Sequence, residues 1–155
     1  MKILSFILLF LYSITLMAQD LIVPVIKVTD GDTTEIRLTL PEPLDKVSVR
    51  TYGIDTPEIP AASYATTGKL NRADCVKEAQ MGLAAKAMVQ ELIDNNGGML
   101  VLKGFSWDKY GGRIDADVYV LDLKTGAEVY VADHLIDAGL AVPYFGGTKT
   151  HDWCE

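Results

Sequence analysis

Apolar and polar residues alternate, with many β-branched side chains, over Ile22 to Val28, Thr33 to Leu40, Lys46 to Ile54, Met99 to Phe105, Ile114 to Leu121 and Glu128 to Val131. A period of two predicts a strand at each. Asp-Gly, Pro-Glu-Pro and Lys-Thr-Gly sequences lie between several of them as turns. From Val76 to Asn95 the period lengthens: Met81, Ala85, Met88, Val89, Leu92 and Ile93 share one helical face opposite Lys77, Lys86, Gln90 and Asp94, and Gly97-Gly98 supplies the stop. The methionines on that face read as core. A shorter helix is expected from Ala132 to Ala138, ending at Gly139. Strands that close into a small barrel, with a helix inserted between the third and fourth long ones, match an OB-fold: a five-stranded β-barrel with helices packed on it. The Ala-, Thr- and Ser-rich segment Ile59 to Asp74 reads as a surface loop that covers whatever lies beside Glu58 or merely links to the helix.

With 155 residues, 49% of them hydrophobic, the chain has material for one compact domain. Residues 1–18 stand apart from it. Lys2 precedes an apolar run from Ile3 to Met17 and a small residue at Ala18, the pattern of a signal peptide cleaved near Ala18-Gln19, leaving a domain over 19–155. The run is short of the roughly 20 apolar residues of a membrane span, although Leu16 is a poor residue at its place before the cut and leaves an uncleaved anchor open. Export to the periplasm or outside the cell agrees with the two cysteines. Cys75 lies just before the helix and Cys154 is the penultimate residue, and a bridge between them would pin the tail Gly146 to Glu155 onto the domain. The alternative is two unpaired thiols.

Four acids and an arginine fall within a short stretch: Asp30-Gly31-Asp32-Thr33, then Arg50, then Asp55-Thr56-Pro57-Glu58. Two carboxylates from separate loops, with a main-chain carbonyl and waters, suit Ca²⁺, which takes oxygen ligands in a loose shell. A phosphodiester can share such a cation while accepting the paired hydrogen bonds of a guanidinium. Glu58, just beyond, could orient or deprotonate a water. Taken singly, each segment reads equally well as turn chemistry.

In this order the segments resemble the staphylococcal nuclease, or thermonuclease, family over nearly the whole domain, from about Val23 to Phe145. The resemblance rests on VTDGDT at 28–33, VRTYGIDTPE at 49–58, DKYG at 108–111 and LIDAGLA at 135–141. It implies the same barrel fold, Asp32 and Asp55 as carboxylate ligands of Ca²⁺, the Thr56 carbonyl as a third, and Asp30 as outer support. It further implies Glu58 as the residue that handles water, Arg50 on the scissile phosphate, and Lys109 and Tyr110 on a terminal phosphate. The family often places a second arginine directly after DKYG. Here Gly112 holds that position, and the strand beyond stays in step only if Arg113 takes the role and the glycine pair absorbs one added residue. Tyr144 and Phe145 fall near where the family stacks aromatics on a base, and spacing does not choose between base contact and core cap.

Charge pulls the other way. Losing Lys2 with the leader leaves 13 basic against 21 acidic residues, whereas nucleic-acid binders are usually basic. Weak long-range attraction to the polyanion is expected, with local cations doing the binding. His134 and His151 read as surface residues. The function expected is Ca²⁺-dependent hydrolysis of DNA or RNA by a secreted monomer with no stable protein partner and no membrane association once the leader is cut. The alternative is a non-catalytic nucleic-acid-binding OB module, which would carry a basic, aromatic-rich groove and fewer of the acids. A Ca²⁺-stabilised interaction protein is a third.

Overall fold

A computed structural model describes residues 20–62, 67–68, 70, 72–109, 111–122 and 124–155. The expected signal peptide, Tyr110 and parts of the segment Ile59 to Asp74 lie outside the described residues.

Strand β1 (Leu21–Val28) pairs antiparallel with β2 (Thr33–Arg37) on one edge and with β5 (Met99–Trp107) on the other. β2 pairs antiparallel with β3 (Lys46–Thr51), and β5 with β6 (Arg113–Leu121). The circle closes where the first half of β6 runs parallel to β3, from Ser48 beside Arg113 to Thr51 beside Ala116. The second half of β6 carries β7 (Glu128–Tyr130) on that same edge. The result is a closed five-stranded mixed barrel with two helices packed on it, α1 (Val76–Asp94) and α2 (Val131–Asp137), the OB-like architecture expected from the strand pattern.

Alternation decides what faces inward. Along β6, Ile114, Ala116, Val118 and Val120 are buried while their neighbours are partly exposed, and Val23, Ile36, Val49, Leu100 and Leu102 meet them inside. Ala85, Val89 and Ile93 of α1 and Val131, Ala132 and Leu135 of α2 join the same core. The buried stripe of α1 is narrower than expected and starts further back, running Glu78, Ala79, Gly82, Ala85, Val89, Ile93, with Met81 and Met88 only partly covered. Small residues let loops approach the helix more closely than methionine would.

One strand expected to continue to Ile54 breaks at Gly53, whose φ of +84° only glycine adopts without strain, and a separate pair β4 (Ile54–Asp55) follows. β4 leaves the barrel to pair with β8 (Val142–Pro143), Asp55 facing Val142, and the Tyr144 amide donates to the Gly53 carbonyl at 2.8 Å. That break sets the chain's C-terminal aromatics beside the acidic loops. β2 likewise ends at Arg37 rather than Leu40, where the Leu38 amide turns to the Asp45 carbonyl.

Cys75 and Cys154 form the disulfide, their Cα atoms 6.0 Å apart. No helix of the described residues is long and apolar enough to cross a membrane.

Candidate functional site

Two loops and a strand build the site. The β1–β2 turn carries Asp30, Gly31 and Asp32, closed by the Thr29 and Asp30 amides donating to the Thr33 carbonyl, and the Thr51 amide ties it to β3 by donating to the Asp32 carbonyl at 2.8 Å. Thr33 Oγ1 donates to Asp32 Oδ1 at 2.7 Å and fixes that carboxylate. The second loop runs from β4 through Thr56 and Pro57 to Glu58. Both loops rest on α1, and the fit is close. A methyl group on Gly82 would lie 2.5 Å from the Glu58 carbonyl oxygen, and one on Gly31 would lie 2.7 Å from the Ala85 Cβ.

Arg50 stands in β3 opposite Thr33, so its side chain enters between the loops. Its Nη2 lies 3.2 Å from Asp32 Oδ2 and 3.6 Å from Asp55 Oδ1, and its guanidinium sits over the Tyr144 ring at 5.6 Å. Asp32 and Asp55, which the resemblance implies as ligands, thus converge on one positively charged nitrogen. Both are sequestered, with side chains 12% and 5% exposed, so a positive charge between them is strongly favoured.

Glu58 also has cationic neighbours. Arg72 Nη2 lies 2.7 Å from Glu58 Oε2, and Arg72 Nη1 lies 3.9 Å from Asp30 Oδ2. From the tail, Lys149 Nζ lies 2.7 Å from Asp55 Oδ1 and 3.6 Å from Glu58 Oε1. Burial works against the charge on Lys149, but the hydrogen bond and charge of Asp55, with Glu58 and Asp32, outweigh it and hold the amine above its ordinary value. Asp30 is pushed up to about 6, by burial first and then by the neighbouring Asp32 carboxylate, and its Oδ1 is buried without a hydrogen-bond partner. Glu78, buried in the first turn of α1, accepts from the Glu58 amide at 3.2 Å and from the Asp74 amide at 2.6 Å, clasping both ends of the segment between them.

Gly111 and Gly112, with φ of +74° and +81°, form the turn between β5 and β6, and the Asp108 amide donates to the Arg113 carbonyl across it. The turn brings Arg113 to the start of β6, its Nη2 2.9 Å from Asp108 Oδ2. Its Nε is buried without a hydrogen-bond partner, 4.0 Å from Asp115 Oδ1, which also lacks one. Such a pair is costly to fold around and is the kind of defect that functional sites carry.

Two adjoining cavities result. The smaller, about 80 Å³, has Asp30, Asp32, Thr56, Glu58, Arg72 and Lys149 in its wall, and the larger, about 510 Å³, has Tyr52, Asp108, Lys109, Asp115, Tyr144 and Phe145. Arg50 and Arg113 line both. Tyr52 and Phe145 meet edge to face at 5.8 Å, with Phe145 73% exposed, so the larger cavity offers exposed aromatic surface. Tyr144 also donates from its hydroxyl to the Gly147 carbonyl at 2.7 Å. Thus Arg50, Glu58, Arg113, Asp32 and Thr56 come together around the smaller space, Asp55 joins them through its contacts with Arg50 and Lys149, and Lys109 and Tyr144 border the larger.

Among the described residues no group of three or more His, Cys, Asp or Glu side chains forms a cage. Two carboxylates aimed at one cationic nitrogen, beside a space with room for a few waters, nonetheless fit an ion that fills its shell with main-chain and solvent oxygen. Compared with known proteins, the chain matches no model of a protein family and no curated protein.

Lys149, Arg72 and Glu78 are the participants that sequence reasoning missed. Glu78 follows Cys75 by three residues, the spacing of a capping box, but with a cysteine where serine or threonine marks the motif. Arg72 and Lys149 stand in segments without periodicity and gave no signal.

Proposed function

We propose that this protein is an exported hydrolase that cleaves phosphodiester bonds of DNA or RNA with the help of Ca²⁺. The observation that carries the reading is that Arg50 and Arg113 line both the acidic cavity and the aromatic one. A nucleotide divides in the same way, with a phosphate that needs guanidinium groups and cationic charge and a base that needs an aromatic face. Asp32, Asp55 and Thr56 would hold Ca²⁺, whose positive charge would stabilise the anionic phosphate, and Arg50 would turn its nitrogens to the phosphate.

Glu58 borders the same small cavity and orients, or takes a proton from, the attacking water. The water oxygen forms the new bond to phosphorus, the bond from phosphorus to the 5′-oxygen breaks, and that oxygen takes a proton from solvent, leaving a 3′-phosphate. Arg50 and Arg113 donate more strongly to the phosphoryl oxygens as charge gathers there, which lowers the barrier rather than only tightening binding. The Nε of Arg113 is buried without a hydrogen-bond partner, so a turn of the side chain toward the phosphate would give up no hydrogen bond at that atom. Tyr144 and Phe145 offer stacking surface, and Lys109 borders the cavity where a further phosphate would lie. The disulfide suits an oxidising compartment.

The test is digestion of single-stranded DNA and RNA with Ca²⁺, Mg²⁺ or chelator, alongside Glu58→Gln and Arg113→Ala. Cleavage that requires Ca²⁺ and falls by about 10²-fold or more in both variants is expected. Wild-type rates in Glu58→Gln would refute the assignment, and Ca²⁺ binding without cleavage by the wild type would favour a binding module.

A further inference from the structure

The tail after β8 is held at both ends. At its start the Tyr144 amide bonds to the Gly53 carbonyl and the Tyr144 hydroxyl to the Gly147 carbonyl. At its end the disulfide joins Cys154 to the N-cap residue of α1, Trp153 is 8% exposed with its ring against His151, and Lys77 Nζ donates to the Glu155 carbonyl. Only a short arch remains between these clamps, and Lys149 stands in it. Its ammonium is therefore brought to Asp55 and Glu58 by a restrained backbone, so less chain entropy opposes the contact than for a lysine on a loose terminus.

The place it occupies matters. Asp55 contacts two cations, Arg50 and Lys149, and a cation held by Asp32 and Asp55 must draw on the same Asp55 carboxylate. Arg50 has an alternative partner in an incoming phosphate. Lys149 is carried on a separate segment and closes the outer side, between Asp55 and Glu58.

We propose that Lys149 is a tethered internal competitor for the cation site, which a divalent ion must displace from Asp55 and which thereby sets the affinity for that ion. The inference rests on the reading of Asp32, Asp55 and Thr56 as a cation site, and it adds a residue that weakens the site on purpose of geometry rather than chemistry. An empty site is then never a cluster of bare carboxylates, and the tail reports whether the ion is bound.

The experiment is calorimetric titration of CaCl₂ into the purified protein at fixed ionic strength, comparing wild type with Lys149→Met, Lys149→Arg and Lys124→Met. Lys124 lies in an exposed turn and changes the net charge equally. Loss of an ion pair with one buried and one half-exposed partner predicts Ca²⁺ affinity about three- to tenfold tighter in Lys149→Met. Lys149→Arg should stay near wild type, and Lys124→Met within about twofold of it. Equal affinity in wild type and Lys149→Met, or the same tightening in Lys124→Met, overturns the inference while the cation site stands. No binding of Ca²⁺ by either protein overturns both. Tightening without nucleic-acid cleavage upholds Lys149 as competitor and removes the hydrolase.

Discussion

Gly82 gives the sharpest link between packing and the site. It lies in the middle of α1, where alanine would raise helix stability by about 1 kcal/mol. The added methyl group, however, would stand 2.5 Å from the Glu58 carbonyl oxygen and 2.8 Å from both the Glu58 carbonyl carbon and the Pro57 carbonyl oxygen. Those are backbone atoms and cannot rotate away. Reaching an ordinary contact requires the loop to recede by about 0.9 Å. Overpacking of this size costs roughly 1–3 kcal/mol, so Gly82→Ala should lose the helix gain and be destabilising by up to about 2 kcal/mol net, a fall in Tm of up to roughly 8 °C. The same displacement moves Glu58 and its neighbours Thr56 and Asp55 relative to Asp32. A shift approaching 1 Å costs about 10²-fold in rate where catalysis depends on alignment. Thermal unfolding and single-stranded DNA digestion on one preparation read both effects. A higher Tm with undiminished cleavage would refute the claim that the glycine exists to let this loop lie on the helix.

Glu78→Ala removes the acceptor for the Glu58 and Asp74 amides and should lower stability by about 2–3 kcal/mol in urea titrations, with Glu78→Gln roughly half as costly because one oxygen survives; equal effects would deny the two-ended clasp. Asp30 has a folded pKa of about 6 against an ordinary 3.8, so the folded state binds more protons between those values, and its contribution is full below pH 3.8 and lost as pH rises through 6. In chelator, the stability of wild type relative to Asp30→Asn should therefore fall by up to about 3 kcal/mol between pH 4 and pH 7, and parallel curves would refute this. Cys75→Ser with Cys154→Ser keeps a good N-cap and opens the 79-residue separation, so a loss of about 2–4 kcal/mol is expected. The freed tail should also bring Ca²⁺ affinity toward that of Lys149→Met, and wild-type affinity in the destabilised variant would deny the tether.

What the chain discloses by pattern and what it conceals follow from the range of the interactions. β6 is legible because alternation is a property of consecutive residues, and Ile114 to Val120 show it without interruption. The turn at Gly111 and Gly112 is legible because two left-handed residues in succession need glycine. The strand expected through Ile54 was wrong in a useful place. Tyr52 and Gly53 follow Arg50 with strand-like neighbours, and only the pairing of Ile54 and Asp55 with the distant Pro143 and Val142 shows that the chain has left the barrel. Helical periodicity gives Glu78 and Gly82 no special place, because their partners are backbone atoms of a loop that no periodicity marks. Lys149 was invisible for the same reason, since its position depends on a disulfide and a buried tryptophan at the far end of the tail.

The acidity of the chain takes a different meaning once the site is assembled. A formal charge of −7 argues against a polyanion as substrate if the charges are spread evenly, and they are not. Of the arginines at 37, 50, 72 and 113, the last three line the two adjoining cavities, with Lys109 and Lys149 beside them. Arg37 alone is elsewhere, paired with Asp45. The cations are thus gathered where six carboxylates, Asp30, Asp32, Asp55, Glu58, Asp108 and Asp115, also converge, and each set partly cancels the other at distances beyond a Debye length of about 10 Å. Such a site exerts little pull from afar and strong directional forces at contact. Under the proposed function, a divalent ion that took over the carboxylates would release Arg50 and Lys149, and because both contact the same Asp55 oxygen, cation binding and affinity for an anionic ligand would be coupled through it.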